Sequence, residues 1–126
     1  MPLAAAYGVP CSVSDELVMA ALKMREGAEF DPKEFFDFCE RQVTEGGMDR
    51  KWFPDFVRVV RDFEYTGTQK VLVRELKRVH FDPRRVSDPI WFRERGDSAF
   101  KPLKSTDWER LRESFRGAER LQLLDR

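Results

Sequence analysis

The chain has 126 residues, enough for one domain with a single core and too few for a two-domain machine. Its 23 basic residues balance 23 acidic ones, so no global field selects nucleic acid or an anionic membrane as partner. Cys11 and Cys39 are too few for a disulfide scaffold and belong to no CxxC or Cys/His cluster, and His80 is the only histidine, which argues against zinc. They read as two reduced thiols. No apolar run approaches the length of a membrane span and the N-terminus lacks a signal-peptide layout, so the expectation is a soluble, cytoplasmic protein.

In chain order, "AAAYGV" (Ala4 to Val9) ending in Pro10 predicts a first strand, and "LVMAALKM" (Leu17 to Met24) a second, buried on both faces. Asp31-Pro32-Lys33-Glu34 is a helix start, with Asp as N-cap, Pro at the first helical position and Glu at the third. That helix should run to about Val43, with Phe35, Cys39 and Val43 on one stripe widened by Phe36 and Phe38, and end at Gly46-Gly47. After the loop "MDRKWFPD", "FVRVV" (Phe56 to Val60) alternates as a third strand, with Arg58 on the opposite face from Val57 and Val59. Trp52 and Phe53 divide evenly between packing and contact. A turn at Thr66-Gly67-Thr68 then leads to a helix from about Gln69 to Val79.

Beyond His80, "FDPRRVSDPIWFRERGDSAFKPL" has two Asp-Pro pairs and little periodicity, and is expected to wrap the surface. Ser105 or Thr106 caps a last helix ending at Gly117. The predicted class is α+β, with a small sheet of about three strands flanked by helices, an irregular C-terminal tail and a terminal helix. Residues 1–80 are expected to form the core of the domain and 81–126 its wrapping tail and terminal helix.

GxSxG, GxGxxG, Walker and HExxH patterns are all missing. His80, with no placed acid or nucleophile, reads as a cation at a helix C-terminus, and Cys39 as a small hydrophobe. Lys70 is the exception. The helix macrodipole prefers anions at a helix start, so a lysine held there by a Thr-Gly-Thr corner suggests that a phosphate or carboxylate comes to meet it.

The motif "TGTQKVLVREL" resembles the C-terminal lysine motif of acyl-CoA synthetases in the adenylate-forming, AMP-binding superfamily. Other blocks agree in order. "AAAYGVP" and "VMAALKM" resemble the strand pair before that motif, "EFDPKEFFDFCE" the helix, and "KWFPDFVRVVRDF" the strand that follows. "FDPRRVSDPIWFRERGDSAFKPL" is similar to the tail of fatty-acid-transport-type and long-chain synthetases. One departure is Asp15-Glu16-Leu17-Val18, which stands where glycines are usual and is one residue short. It leaves contacts of that loop with the thiol substrate without a match.

The resemblance spans roughly Ala4 to Leu103 and implies the C-terminal lid domain of an ATP-dependent fatty-acid–CoA ligase, separated from its large N-terminal AMP-binding domain. It implies that Lys70 is the catalytic lysine of adenylation and that Thr66, Gly67 and Thr68 position it. ATP, Mg2+ and coenzyme A would serve the full-length enzyme, none being expected on this domain alone. The partners implied are the AMP-binding domain and a fatty or other carboxylic acid, with peripheral membrane association of the full-length enzyme compatible with the family. The alternative is a stand-alone, non-catalytic interaction or regulatory module derived from such a domain.

Overall fold

The computed structural model describes residues 3–12, 16–24, 27–60, 73–94 and 97–125. Strands β1 (Leu3–Pro10), β2 (Glu16–Lys23), β3 (Phe56–Val60), β4 (Ile90–Phe92) and β5 (Lys101–Pro102) form one sheet in the order β1-β2-β3-β4-β5. The β2–β3 pair is parallel and the other three pairs are antiparallel. A parallel pair needs a crossover, and helix α1 (Pro32–Thr44) supplies it. Helices α2 (Val73–Val79), α3 (Ser105–Gly117) and α4 (Gln122–Asp125) follow. The class is α+β, as the residue pattern predicts.

Alternation along the strands divides the apolar side chains into two cores. One unites Tyr7, Met19, Phe56, Phe92, Trp108 and Phe115 under α2, α3 and α4. The other unites Ala20, Leu22, Val57 and Phe100 with Phe53 and with Cys39 of α1. Met19 to Leu22 are therefore all buried, which is why β2 reads as a continuous apolar run.

The α1 boundaries follow from its caps. The Asp31 carboxylate accepts from Lys33 N at 3.0 Å and Glu34 N at 3.1 Å, and Pro32 occupies the first turn, where no donor is needed. At the other end Gly47 takes φ +75°, which lets Met48 N return to Gln42 O at 2.9 Å. Cys39 is buried and its thiol is pushed up to about 11 by desolvation, so it behaves as a small apolar group. Helix α3 starts at Ser105, but neither Ser105 nor Thr106 caps it. Asp107, in the first turn, accepts the Lys104 N–H at 3.0 Å instead.

The tail does more than wrap. It adds β4 and β5 to the three expected strands, and it places Phe81, Phe92 and Phe100 in the cores, each at most 5% exposed. Phe81 stacks on Phe56 with centroids 4.2 Å apart and planes 6° apart. Isolated apolar residues at irregular spacing, on strands of three and two residues, leave no period to detect.

His80 corrects a second expectation. Its ring is 2% exposed, turned inward at a residue with φ +35°. Burial depresses its pKa, so it is a neutral imidazole and not a helix-end cation. Nε2 lies 3.2 Å from Leu124 O, which fixes Nε2 as the protonated nitrogen and ties α4 to the end of α2. Trp52 and Phe53 part company, with Phe53 at 1% exposure beneath the Arg93 guanidinium and Trp52 exposed at 57%. Among the described residues no helix is long and apolar enough to cross a membrane.

Candidate functional site

The sheet register defines one end of the domain. Leu3 pairs with Lys23, and Lys23 pairs with Val60, so the start of β1 and the ends of β2 and β3 lie in one row. The chain leaves β3 at Val60 and is described again from Val73. The sequence-predicted site residues Thr66, Gly67, Thr68 and Lys70 all fall in this interval, outside the described residues. What is described is the frame that holds the interval. β3 is an inner strand flanked by β2 and β4, and α2 packs on β1 with Val73, Leu76 and Val79 against the larger core.

Two residues before the end of β3, Arg58 sits on the face shared by Phe56 and Val60, with a side chain only 17% exposed. Its Nε donates to Asp88 Oδ2 at 2.9 Å and its Nη2 lies 2.8 Å from the same oxygen. Next to this rung, Val59 N donates to Pro89 O at 3.0 Å. The exit of β3 is thus clamped to the loop before β4 by one backbone bond and one half-buried ion pair. Arg58 also lies close enough to Tyr7 to oppose the rise of its phenol, which burial pushes up to about 12. Sequence reading placed Arg58 on the strand but did not recognise the clamp. The available signal was a cation on a strand whose apolar neighbours are buried on both faces.

A second ionic knot lies at Asp82, which is fully buried. Arg84 grips it through Nε and Nη2, the latter at 2.8 Å, and through its backbone N–H at 2.9 Å. Desolvation alone would raise this carboxyl, but the hydrogen bonds from Arg84 outweigh it and hold it below the usual range. This closes the turn between α2 and β4 and is structural. Among the described residues no three His, Cys, Asp or Glu side chains gather as metal ligands.

No protein-family model matches the chain. Steroid-22-oyl-CoA synthetase of Rhodococcus jostii is 39% identical over 85 residues, which are 68% of this chain and 14% of that protein. The chain is homologous to a C-terminal portion of the acyl-CoA ligases. A medium/long-chain-fatty-acid–CoA ligase of Mycobacterium marinum is 36% identical over 87 residues, 69% of this chain and 16% of the relative. Long-chain fatty acid transport protein 2 of Rattus norvegicus is 28% identical over 98 residues, 77% and 15% of the two chains. The chain therefore spans only about a sixth or a seventh of the length of these relatives. The fold agrees with that of apo MatB from Rhodopseudomonas palustris, with a TM-score of 0.54 at 23% identity, covering 65% of this chain and 15% of that one.

Proposed function

We propose that this chain is the mobile small domain of an ATP-dependent acid–CoA ligase, and that it carries Lys70 into an active site whose remainder belongs to a larger AMP-binding domain. The observation that carries the reading is the shared row of Leu3, Lys23 and Val60. A larger domain joined ahead of β1 would enter at the same end of the sheet from which the Lys70 segment departs. The homology to a small C-terminal portion of acyl-CoA ligases supports the same division of labour.

The chemistry has two steps. A carboxylate oxygen attacks the α-phosphorus of ATP, forming acyl-adenylate and expelling pyrophosphate. The thiolate of coenzyme A then attacks the acyl carbon, and AMP leaves. Neither step needs covalent help from the protein, so catalysis reduces to positioning and charge stabilisation. The Lys70 ammonium would neutralise charge on the carboxylate and phosphate oxygens during the first step, with Thr66, Gly67 and Thr68 fixing its approach. Withdrawal of the whole domain would remove it for the second step, a gating motion of a common kind. The Arg58–Asp88 clamp supports this role by holding the strand end from which the segment leaves.

The experiment is reconstitution. The Rhodococcus synthetase, with its own C-terminal portion deleted, is fused to this chain and assayed for acid-dependent pyrophosphate release. Activity that returns with the fusion and disappears with Lys70→Ala supports the proposal. Activity that returns equally with Lys70→Ala contradicts the role given to the lysine.

A further inference from the structure

Strand β1 is an edge of the sheet, and the direction of its free backbone groups follows from its neighbour. Val18 turns both of its backbone groups toward β3: its C=O accepts from Asp55 N at 2.8 Å, and its N–H donates to Asp55 Oδ2 at 3.2 Å. Gly8 stands opposite Val18 in the antiparallel β1–β2 pair, so Gly8 points its own N–H and C=O away from β2. With a period of two, Ala6 and Ala4 do the same. Among the described residues nothing bonds these outward groups. The two edges of the sheet differ. At the far edge β5 is two residues long and consists of Lys101 and Pro102, a charge and an imino acid that discourage pairing. β1 runs for eight residues without a charge, and its proline comes only at the end.

Beside this edge lies a cleft of about 340 Å³, bordered by Gly8, Val9 and Pro10 of β1 and by Lys77 and Arg78 from the last turn of α2. Lys77 is exposed and makes no ion pair among the described residues. Glu16 borders the cleft as well, but from the other side of the sheet. It stands four residues before Ala20, on the face of the smaller core, whereas α2 packs on the larger one. The α2 side of the cleft is therefore cationic.

We propose that an extended acidic segment of a separate protein adds to β1 as a further strand, with alternate carboxylates facing Lys77 and Arg78. The outward N–H and C=O groups of Ala4, Ala6 and Gly8 supply the docking, and the two cations select the sequence. A second copy of the chain fits less well, because its own α2 would bring the same cations against Lys77 and Arg78. The cleft lies about 20 Å along β1 from Leu3, the end at which a larger domain would be joined, so the added strand belongs to a different chain.

The test is titration of a capped, fluorescent heptapeptide of alternating threonine and aspartate with the whole chain, followed by anisotropy. Saturable one-to-one binding is expected, weakened about tenfold by Lys77→Ala because a charge-assisted contact is lost. A peptide with lysine in place of aspartate should not bind. The aspartate peptide methylated at its backbone nitrogens should not bind either, which tests strand pairing without altering the protein. Amide exchange at Ala4, Ala6 and Gly8 should slow when the unmodified aspartate peptide is added. Absence of saturable binding, equal binding of the lysine or the methylated peptide, unchanged affinity in Lys77→Ala, or unchanged exchange at those amides would each overturn the proposal. So would sedimentation of the chain alone as a dimer with the three amides already protected, which would assign the edge to a second copy.

Discussion

Arg58 and Asp88 form a two-bond ion pair, Nε to Oδ2 at 2.9 Å and Nη2 to Oδ2 at 2.8 Å, one turn of pleat before β3 ends. Their side chains are 17% and 22% exposed, so neither charge is fully solvated and neither is fully dry. Removing one partner strands the other in a half-buried site, which is where such a pair reveals its importance. Asp88→Ala should therefore destabilise the domain by about 2 kcal/mol, read from the denaturation midpoint. The double change Arg58→Met with Asp88→Leu should recover much of that loss. A single change costing no more than an exposed pair, about 0.5 kcal/mol, would show that the clamp does not hold β3.

Phe81 tests whether the tail belongs to the core. It is 1% exposed, stacked on Phe56 and edge-on to Trp108 at 6.1 Å. Phe81→Ala should cost roughly 3–5 kcal/mol, the range for emptying a buried aromatic site. A loss within about 0.5 kcal/mol, as at an exposed position, would return the tail to the role of surface wrapping.

His80 gives the fold a pH dependence whose sign is fixed by burial. Desolvation lowers its folded pKa, while the Leu124 carbonyl and Asp82 pull the other way and Arg85 and Arg84 add to the depression. Its Nδ1 is buried, and among the described residues no acceptor faces a second proton there. Above the unfolded value of about 6.5 both states are neutral and the full stability is present. As pH falls below that value the unfolded chain takes up the proton first, and stability declines through the folded pKa. Thermal melts from about pH 7.5 to 5 should show this decline, and His80→Asn, which tolerates the left-handed backbone, should flatten it. An equal slope in the variant would assign the decline to other groups.

Asp31 is the local test of α1. With two backbone donors satisfied by one carboxylate, Asp31→Ala should cost about 1 kcal/mol, and Asp31→Ser distinctly less. Equal stability of all three proteins would mean that the crossover helix starts without its cap.

Much of the fold was legible because its signals are local. Asp31-Pro32 marks the start of α1 through donors only two and three residues away, and the apolar run Met19 to Leu22 marks a strand buried on both faces. The tail was not legible because its order comes from distant partners: Ile90 to Phe92 become a strand only by pairing with Phe56 to Arg58. The inward turn of His80 escapes the sequence for a related reason, since its ring bonds Leu124 of α4, forty-four positions further along the chain. At the candidate site, Lys70 stands out through its place at a helix start behind a Thr-Gly-Thr corner and through its motif, whereas the Arg58–Asp88 clamp joins residues thirty positions apart and has no sequence signature.

If Lys70 serves adenylation and is withdrawn for thioester formation, as proposed, the two half-reactions of the reconstituted ligase should respond differently to its removal. Pyrophosphate exchange reads the first, and single-turnover transfer from pre-made acyl-adenylate to coenzyme A reads the second. Lys70→Ala should slow the first by about 10²–10³, the usual contribution of a preorganised charge in a transition state, and leave the second nearly unchanged. Lys70→Arg should restore the first only in part, because a planar guanidinium does not replace a compact ammonium. Equal losses in both half-reactions, or no loss in the first, would contradict the account.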